Sequence, residues 1–323
     1  MELLPQEIVN EILLQVNKST LYDAAQVCKQ WRHLAVQQVV PIKNRQDFTT
    51  ACAINDRLSI IRSKCVQRWI NDGFETACQG GHQALVQLLI NKGADDWNHG
   101  LYAACVKGHE ELVQLMIVKG ANNWNYGLYT ACLGGYEKVA QLMIDKGANN
   151  WNDSLKAACE GGYEKVVDLI IDKGGDDWHS GFYGACKGGY EKVALLMIDK
   201  GADDWCNGLY TACEGGNIKL VQLMIDKGAD DWNKGLYYAC LGGHENIVQL
   251  MITKGADNWN EGLYYACIGG HENIGQLMIT KGANNWNEAL YCACRGGHQK
   301  LVQLMITSGG DNCASCRKSL ALH

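Results

Sequence analysis

The feature that most constrains this chain is a repeat of 27 residues. The segment KGADDWNKGLYYACLGGHENIVQLM, which runs from Lys227 to Met251, returns with small changes along most of the 323-residue sequence. One unit of this length cannot cover its own apolar face, so such units stack and bury that face against their neighbours. The period therefore predicts one elongated array rather than two or three globular domains. Trp and Cys mark the period, at Trp97, Trp124, Trp151, Trp178, Trp205, Trp232, Trp259 and Trp286, and at Cys78, Cys105, Cys132, Cys159, Cys186, Cys213, Cys240, Cys267 and Cys294.

Each unit is predicted to contain two helices joined by a glycine turn. LYYAC (236–240) has apolar residues at the i, i+3, i+4 spacing of a short helix, and IVQLMI (247–252) has the apolar density of a buried one. Gly242 and the residue after it break the chain between them, and Gly255 is predicted to end the second helix in the left-handed conformation. The Asn that follows most tryptophans, such as Asn233, is predicted to cap the first helix. Each unit thus reads helix, turn, helix, short return.

The chain contains 16 cysteines, a number that would indicate a disulfide framework in a short secreted protein. Nine of them stand 27 residues apart, one in each unit. Neighbouring packed helices lie roughly 8–10 Å apart, whereas a disulfide needs Cα atoms within about 7 Å. The periodic cysteines are therefore predicted to be small apolar core residues in a reducing compartment.

Two interpretations of the periodic tryptophans remain open. Either each Trp packs at the helix ends, where such a large side chain is mostly buried, or a row of half-exposed Trp edges presents its indole N–H groups to a ligand. Repeats separated by one helix diameter exclude a continuous stack of the rings, which needs closer contact.

The segment LYTACEGGNIKLVQLMIDKGAD (209–230) resembles an ankyrin repeat, whose helices read L-H-x-A-A-x-x-G-H-x-x-I-V-x-L-L-L-x-x-G-A-D. Cys213 occupies the second small position of the ankyrin Ala-Ala pair. The ankyrin period is about 33 residues, and the six missing residues fall between GAD and the next Leu, where ankyrins carry a protruding β-hairpin. The resemblance implies ankyrin-like helix pairs whose hairpins are trimmed to a tight DWN loop.

The segment from Leu3 to Ala35 lies outside the repeat and is predicted to form three short helices, which are marginal as a free-standing domain. It begins with Leu4-Pro5-x-Glu7-Ile8, continues with Ile12-Leu13 and ends with Val27-Cys28-Lys29-x-Trp31-Arg32-x-Leu34-Ala35. This pattern resembles an F-box, and the resemblance implies docking to the Skp adaptor of SCF-type (cullin–RING) ubiquitin ligases. The alternative is that these helices only form the core of a cap on the repeat array. By the resemblance, the adaptor-binding residues are Leu4, Pro5, Ile8, Ile12, Val27, Cys28 and Trp31.

The predicted fold is all-α: a short three-helix F-box followed by an ankyrin-like helix-pair solenoid with truncated hairpin loops. We expect the F-box at 1–40, a linker and a degenerate first repeat at 41–73, nine repeats at 74–308, and a C-terminal tail or cap at 309–323. Solenoid ends need atypical capping units, which suits both the drifted first repeat and the tail.

One position varies freely within this constant frame, namely the residue after each periodic Cys. In ankyrins this position lies on the concave target-binding surface, so the resemblance implies a protein-binding site there; unconstrained drift of a solvent-facing position is the alternative. The position two residues after each Trp varies as well, and the acidic pairs that precede several tryptophans, such as Asp230-Asp231, favour a basic target. The predicted target-binding residues are Val106, Leu133, Glu160, Lys187, Glu214, Leu241, Ile268 and Arg295.

Charge and motifs exclude several other functions. The 35 acidic residues outnumber the 29 Lys and Arg, for a net charge of −6, which argues against general nucleic-acid binding. No apolar run is long enough to span a bilayer, and the N-terminus does not read as a signal peptide. No nucleophile–base set recurs, so we expect no enzyme and no cofactor. Cys292 and Cys294 with Cys313 and Cys316 are the one zinc-like cluster, but Cys294 is also a periodic core residue, and we expect no metal.

The leading hypothesis is a substrate-recruiting adaptor of an SCF-type ubiquitin ligase, in which the F-box docks to the Skp adaptor and the repeats hold an unknown protein target. The rival is a non-catalytic interaction scaffold or decoy whose N-terminal helices only cap the array. An F-box before near-identical repeats is similar to families encoded by large DNA viruses of amoebae. We expect a monomer in the cytoplasm or nucleus, of a host cell if the protein is viral.

Overall fold

The computed structural model describes residues 45–55 and 66–310, and every regular element within these ranges is an α-helix. The predicted all-α, ankyrin-like helical-repeat class is confirmed. The chain divides into two compact units, Met1–Gly127 and Leu128–His323. The F-box segment and the residues after 310 lie outside the described residues.

The helices alternate between the two kinds that the repeat predicts. The first unit holds α1 (Arg45–Ala53), α2 (Val66–Gln79, kinked at Trp69), α3 (Gln83–Asn91), α4 (Trp97–Lys107) and α5 (Glu110–Lys119). The boundary between the units falls within α6 (Trp124–Gly134). The second unit continues with α7 (Glu137–Asp145), α8 (Trp151–Gly161), α9 (Glu164–Asp172), α10 (Trp178–Gly188), α11 (Glu191–Asp199), α12 (Trp205–Gly215), α13 (Ile218–Asp226), α14 (Trp232–Gly242), α15 (Glu245–Lys254), α16 (Trp259–Gly269), α17 (Glu272–Lys281), α18 (Trp286–Gly296) and α19 (Gln299–Ser308).

In the pair α4–α5 and in those from α8 onward, the first helix begins at the periodic Trp and packs against the second. Within the second unit, the first helices α8, α10, α12, α14, α16 and α18 also pack against one another in series. A repeat is named here by the Trp that begins it. The first-helix residues Leu236, Ala239 and Cys240 are fully buried, as are Val248 and Met251 on the second helix. The core therefore runs between the two rows of helices, as stacking units require.

The core assignment of the periodic cysteines is confirmed for those from Cys78 to Cys267, which are free thiols and buried. Burial raises the pKa of the Cys240 thiol to about 12. The assignment is wrong for Cys294, which is only partly buried, whereas Cys292 of the same helix is buried. The reason is that α18 is the last first helix of the described residues, and within them no further first helix covers its outer side.

The helix ends follow the glycine prediction. Gly255 ends α15 with φ of 110° and Gly243 ends α14 with φ of 82°, both in the left-handed region that glycine adopts at little cost. A second constraint acts at Gly243, because the His271 ring of the next repeat lies where a Cβ would stand. The glycine turn is therefore part of the junction between repeats.

The prediction that Asn233 caps the first helix is wrong. The helix begins at Trp232, and Asp231 before it is the cap, whose carboxylate accepts the N–H of Lys234 at 3.1 Å. A capping side chain must precede the first turn to reach the N–H groups that have no helical partner. Asn233 lies inside that turn and has a different partner.

The periodic tryptophans are half-buried. This result is intermediate between the two interpretations, a Trp packed at the helix ends and a row of exposed Trp edges. The Trp205 ring meets Phe182 of the preceding repeat edge to face, with centroids 6.0 Å apart. The Lys227 ammonium, at the end of the second helix of the same repeat, lies 5.5 Å from the Trp205 centroid. Each such Trp thus packs at the helix ends with one edge outside the core.

Candidate protein-binding site

The outward surface of the first helices is the candidate site. It consists of the third, sixth, seventh and tenth residues of each first helix, counted from the periodic Trp, and is called the first-helix face. These positions follow the i, i+3, i+4, i+7 spacing of one side of a helix. In α14 the intervening positions Gly235, Leu236, Ala239 and Cys240 are buried, so the four face positions point away from the core.

All the predicted target-binding residues lie on this face, at the tenth position in the last turn of a first helix. Leu133, Lys187, Ile268 and Arg295 are exposed, and Val106, Glu160, Glu214 and Leu241 are partly buried. Their role in binding stays a prediction.

Three of these residues form a charged section of the face. The Lys187 ammonium lies 3.1 Å from a Glu214 carboxylate oxygen and 3.9 Å from a Glu160 oxygen. The three belong to consecutive repeats, so the tenth residues are close enough to interact along the array. Lys187 remains 46% exposed, and such pairs contribute at most about 1 kcal/mol each.

The next repeats carry an aromatic section instead. Five tyrosines at the sixth and seventh positions of the Trp205, Trp232 and Trp259 repeats form a continuous set of ring contacts, which we call the tyrosine patch. Centroid separations within it are 5.3–6.3 Å. Leu241 and Ile268 lie one turn further along the same helices and extend the apolar surface. The tyrosine patch comprises Tyr210, Tyr237, Tyr238, Tyr264 and Tyr265.

Tyrosine hydroxyls at the sixth position join one repeat to the next. The Tyr210 hydroxyl donates to Asp231 at 2.9 Å, and the Tyr183 hydroxyl donates to Asp204 at 2.6 Å. Both acids cap the following first helix. Burial and the bond to Asp204 raise the pKa of Tyr183, so this hydroxyl stays protonated and continues to donate at neutral pH.

These bonds show that the two acids of each pair before a periodic Trp have different roles. The second acid of a pair is a helix cap, and the N–H of Ser180 holds the pKa of the Asp177 carboxyl below its usual range. The first acid, as at Asp176, Asp203 and Asp230, is exposed. The first acid of each pair is therefore the more open to a basic partner, although Asp203 already lies 3.0 Å from His179.

The Asn after the Trp forms a bracket between repeats. The Asn233 side-chain oxygen accepts the backbone N–H groups of Asp257 and Asn258, both at 3.0 Å, in the loop of the next repeat. Asn98, Asn152 and Asn260 accept two loop N–H groups in the same way, at 2.8–3.1 Å. The bracket fixes the short loop that stands where an ankyrin hairpin would be.

The position just before each second helix, which we call the histidine slot, also links repeats where it holds His244, His271 or Asn217. The Nε2 atoms of His244 and His271 bond the backbone carbonyls of Glu214 and Leu241 in the preceding repeat, at 2.9 and 3.0 Å. Both bonds cross a repeat junction and do not close the local turn. In the Trp205 repeat, Asn217 in this slot donates to the Gly189 carbonyl at 2.8 Å. In these repeats the side chains form structural contacts between units.

The tyrosine patch is the feature that the sequence prediction missed. The signal was present at the seventh position, which holds Tyr238 and Tyr265 in two adjacent repeats. Elsewhere that position holds Ala103, Thr130, Ala157, Gly184, Thr211 and Cys292.

No cluster of three or more metal-ligating side chains occurs in residues 45–55 and 66–310. Cys313 and Cys316 lie outside the described residues, as do all the predicted adaptor-binding residues from Leu4 to Trp31. In the part that the structure describes, no helix has the length and apolar content that crossing a bilayer requires.

Stacked helix pairs with a variable face and no recurring catalytic set define a helical-repeat interaction protein. The model for ankyrin repeats in three copies matches residues 101–180, 182–261 and 236–316, so the chain belongs to the ankyrin-repeat family. An F-box-like model matches residues 1–39. No curated protein matches the chain. F-box and ankyrin-repeat domains are non-catalytic interaction modules, which gives the chain an F-box adaptor or protein-interaction role.

Proposed function

We propose that the chain is a substrate-recruiting adaptor of an SCF-type ubiquitin ligase. The F-box-like segment binds the Skp adaptor through Leu4, Pro5, Ile8 and their partners in the motif, and the first-helix face of the repeats holds a protein target. Ubiquitin transfer is carried out by other subunits. The observation that carries the proposal is the order of the two modules, an F-box-like segment followed by a long array with a variable face.

The face supports this role because its frame is constant while its side chains change. Brackets and helix caps recur in most units, so the face positions vary without disturbing those junctions. A charged section around Lys187 and an aromatic section around Tyr238 lie on the same face, and a protein segment laid along it meets both. Solenoids use extended surfaces of this kind for binding.

The test is a pull-down of the purified full chain with a eukaryotic Skp adaptor. Leu4→Ala/Pro5→Ala is expected to abolish capture, because these side chains belong to the adaptor-facing part of the motif. Gln6→Ala is the matched control, since this position is unspecified in the motif and should bind like the wild type. Circular dichroism must show equal helix content in both variants.

Loss of binding in the folded double variant alone supports the ligase adaptor. Absence of binding by the wild type overturns it and leaves the rival, an interaction scaffold whose N-terminal helices cap the array.

A further inference from the structure

The tyrosine patch adds side-chain surface that the fold does not need. At the seventh position of the first helix, the other repeats stack with small residues such as Ala157 and Thr211. Tyr238 and Tyr265 extend beyond this minimal contact and remain partly exposed. Their hydroxyls donate to no described residue, so the two rings are not held in place for an internal hydrogen bond.

At one edge of the tyrosine patch, a cation of the chain itself already lies against a tyrosine ring. The Lys234 ammonium lies 5.3 Å from the Tyr210 centroid, and it lies 3.5 Å from the Asp231 carboxylate. A cation above an aromatic face with a carboxylate beside it is a favourable arrangement. Lys234 is the third residue of its helix, which is a variable position on the first-helix face.

In the next two repeats, the side chain at the same position is acidic instead of basic. Glu261 and Glu288 take the place of Lys234, and both are exposed. No Lys or Arg within the described residues forms an ion pair with either carboxylate. Glu261 lies close enough to the patch that burial, Tyr238 and Glu261 together raise the pKa of Tyr265. This part of the patch thus has rings and carboxylates, and among the described residues no cation is paired with those carboxylates.

We propose that this surface binds a basic segment of the target protein, with a Lys or Arg side chain over the rings of Tyr238 and Tyr265. The target cation takes the role that Lys234 has at Tyr210, and Glu261 and Glu288 neutralise it. An apolar residue next to it packs on Leu241 and Ile268. The assignment rests on the proposed function, in which the repeats hold a protein target, and it names the chemistry of that target.

Charge complementarity favours this occupant over an acidic or purely apolar one. The chain carries a net charge of −6, and the exposed acids of the loops add to the field around the face. An acidic segment would meet Glu261 and Glu288 with like charge, which costs affinity. A purely apolar segment would leave both carboxylates without an opposite charge, and Glu288 with only its hydrogen bond from Asn285.

The test uses a phage-displayed library of random linear peptides, selected on the immobilised full chain. The enriched peptides are expected to share a Lys or Arg next to an apolar residue. They are synthesised and titrated by fluorescence anisotropy against two double variants, Tyr238→Thr/Tyr265→Thr and Glu261→Asn/Glu288→Asn. The replacements are residue types that other repeats carry at the same positions, Thr211 and Asn207, so the helices should be retained.

Asp153→Asn is the matched control, since it makes the same kind of charge change at the same helix position, next to Ala157 instead of the tyrosine patch. Each double variant is expected to weaken peptide binding by about tenfold or more, whereas Asp153→Asn should leave it within about twofold. Replacing the peptide's Arg by citrulline should weaken binding to the wild type more than to Glu261→Asn/Glu288→Asn, in which only the rings still attract the cation.

Three results would overturn the proposal: no peptide enriched, enriched peptides without a basic residue, or equal losses in Asp153→Asn and the patch variants. The Skp adaptor pull-down is run on the same proteins. Patch variants should bind the adaptor normally, and Leu4→Ala/Pro5→Ala should bind the peptide normally. Failure of the patch assignment is thereby separated from failure of the ligase role.

Discussion

The bracket between repeats is interrupted at two junctions, where His179 and Cys206 replace the bracketing Asn, and restoring it at the second gives a sharp test of its contribution. Cys206 stands where other repeats have the bracketing Asn. Within the described residues, no side chain accepts the backbone N–H of Asp230 or Asp231, the two groups that the bracket would hold. Cys206→Asn should supply the missing acceptor.

The expected gain follows from the intact junctions. Asn233 accepts two N–H groups at 3.0 Å, and a net hydrogen bond contributes about 0.5–1.5 kcal/mol. The loop is exposed, so the lower part of this range applies and the two bonds together should contribute about 1 kcal/mol. Cys and Asn have similar helix propensities, and the substitution should have little effect through the helix itself.

Hydrogen exchange is the appropriate assay because repeat arrays open locally, and a single unfolding free energy can hide a change at one junction. The amides of Asp230 and Asp231 should exchange about fivefold more slowly in Cys206→Asn, as a stabilisation of about 1 kcal/mol requires. In the reciprocal variant Asn233→Cys, the amides of Asp257 and Asn258 should exchange faster by a similar factor. If neither variant alters the exchange of its own loop amides, the bracket does not hold the loop and the reasoning fails.

Two further predictions concern the glycine turns and the thiols. Gly243→Ala and Gly255→Ala should each lower the free energy of unfolding by about 1–2 kcal/mol, because Ala is strained at positive φ. Gly243→Ala should lower it by about 1 kcal/mol more, because it also displaces the His271 ring and its hydrogen bond. Equal urea midpoints for the two variants would contradict this. At pH 8, a pKa of about 12 leaves only about one Cys240 thiol in ten thousand ionised, so iodoacetamide should label Cys240 only after unfolding. The half-buried Cys206 should be labelled in the folded protein, as peptide mass spectrometry would show, and equal labelling of both in the native state would refute the core assignment.

The helix pairs were predictable because the repeat places apolar residues at helical spacing and punctuates them with glycine. The buried Cys240 and the left-handed Gly255 follow from that pattern alone. The hydrogen-bond partner of Asn233 could not be predicted from the pattern. A residue that returns with the period indicates that a contact recurs, but it does not show which neighbour makes that contact. Asn is common both as a helix cap and as a loop bracket, and only the observed start of the helix at Trp232 separates the two roles.

The candidate face was predictable in part for a similar reason. Variation after the periodic Cys led to Lys187 and Ile268 on the first-helix face, where the structure places them. Tyr238 and Tyr265 were passed over because tyrosine is frequent in this chain and the adjacent sixth position is almost always Tyr. Their ring contacts across repeats depend on how the helices pack, which a one-dimensional pattern does not contain.

The contact between the His271 ring and the glycine turn ending at Gly243 bears on how such a chain can change length. Each unit carries both halves of this contact, because its glycine receives the ring of the next unit and its own ring reaches the glycine of the preceding one. A unit gained or lost by recombination between near-identical stretches of coding sequence therefore restores a matching junction. The array can be lengthened, shortened or reordered as whole cassettes, and each exchange moves the charged and aromatic sections of the face relative to one another while every helix keeps its partner.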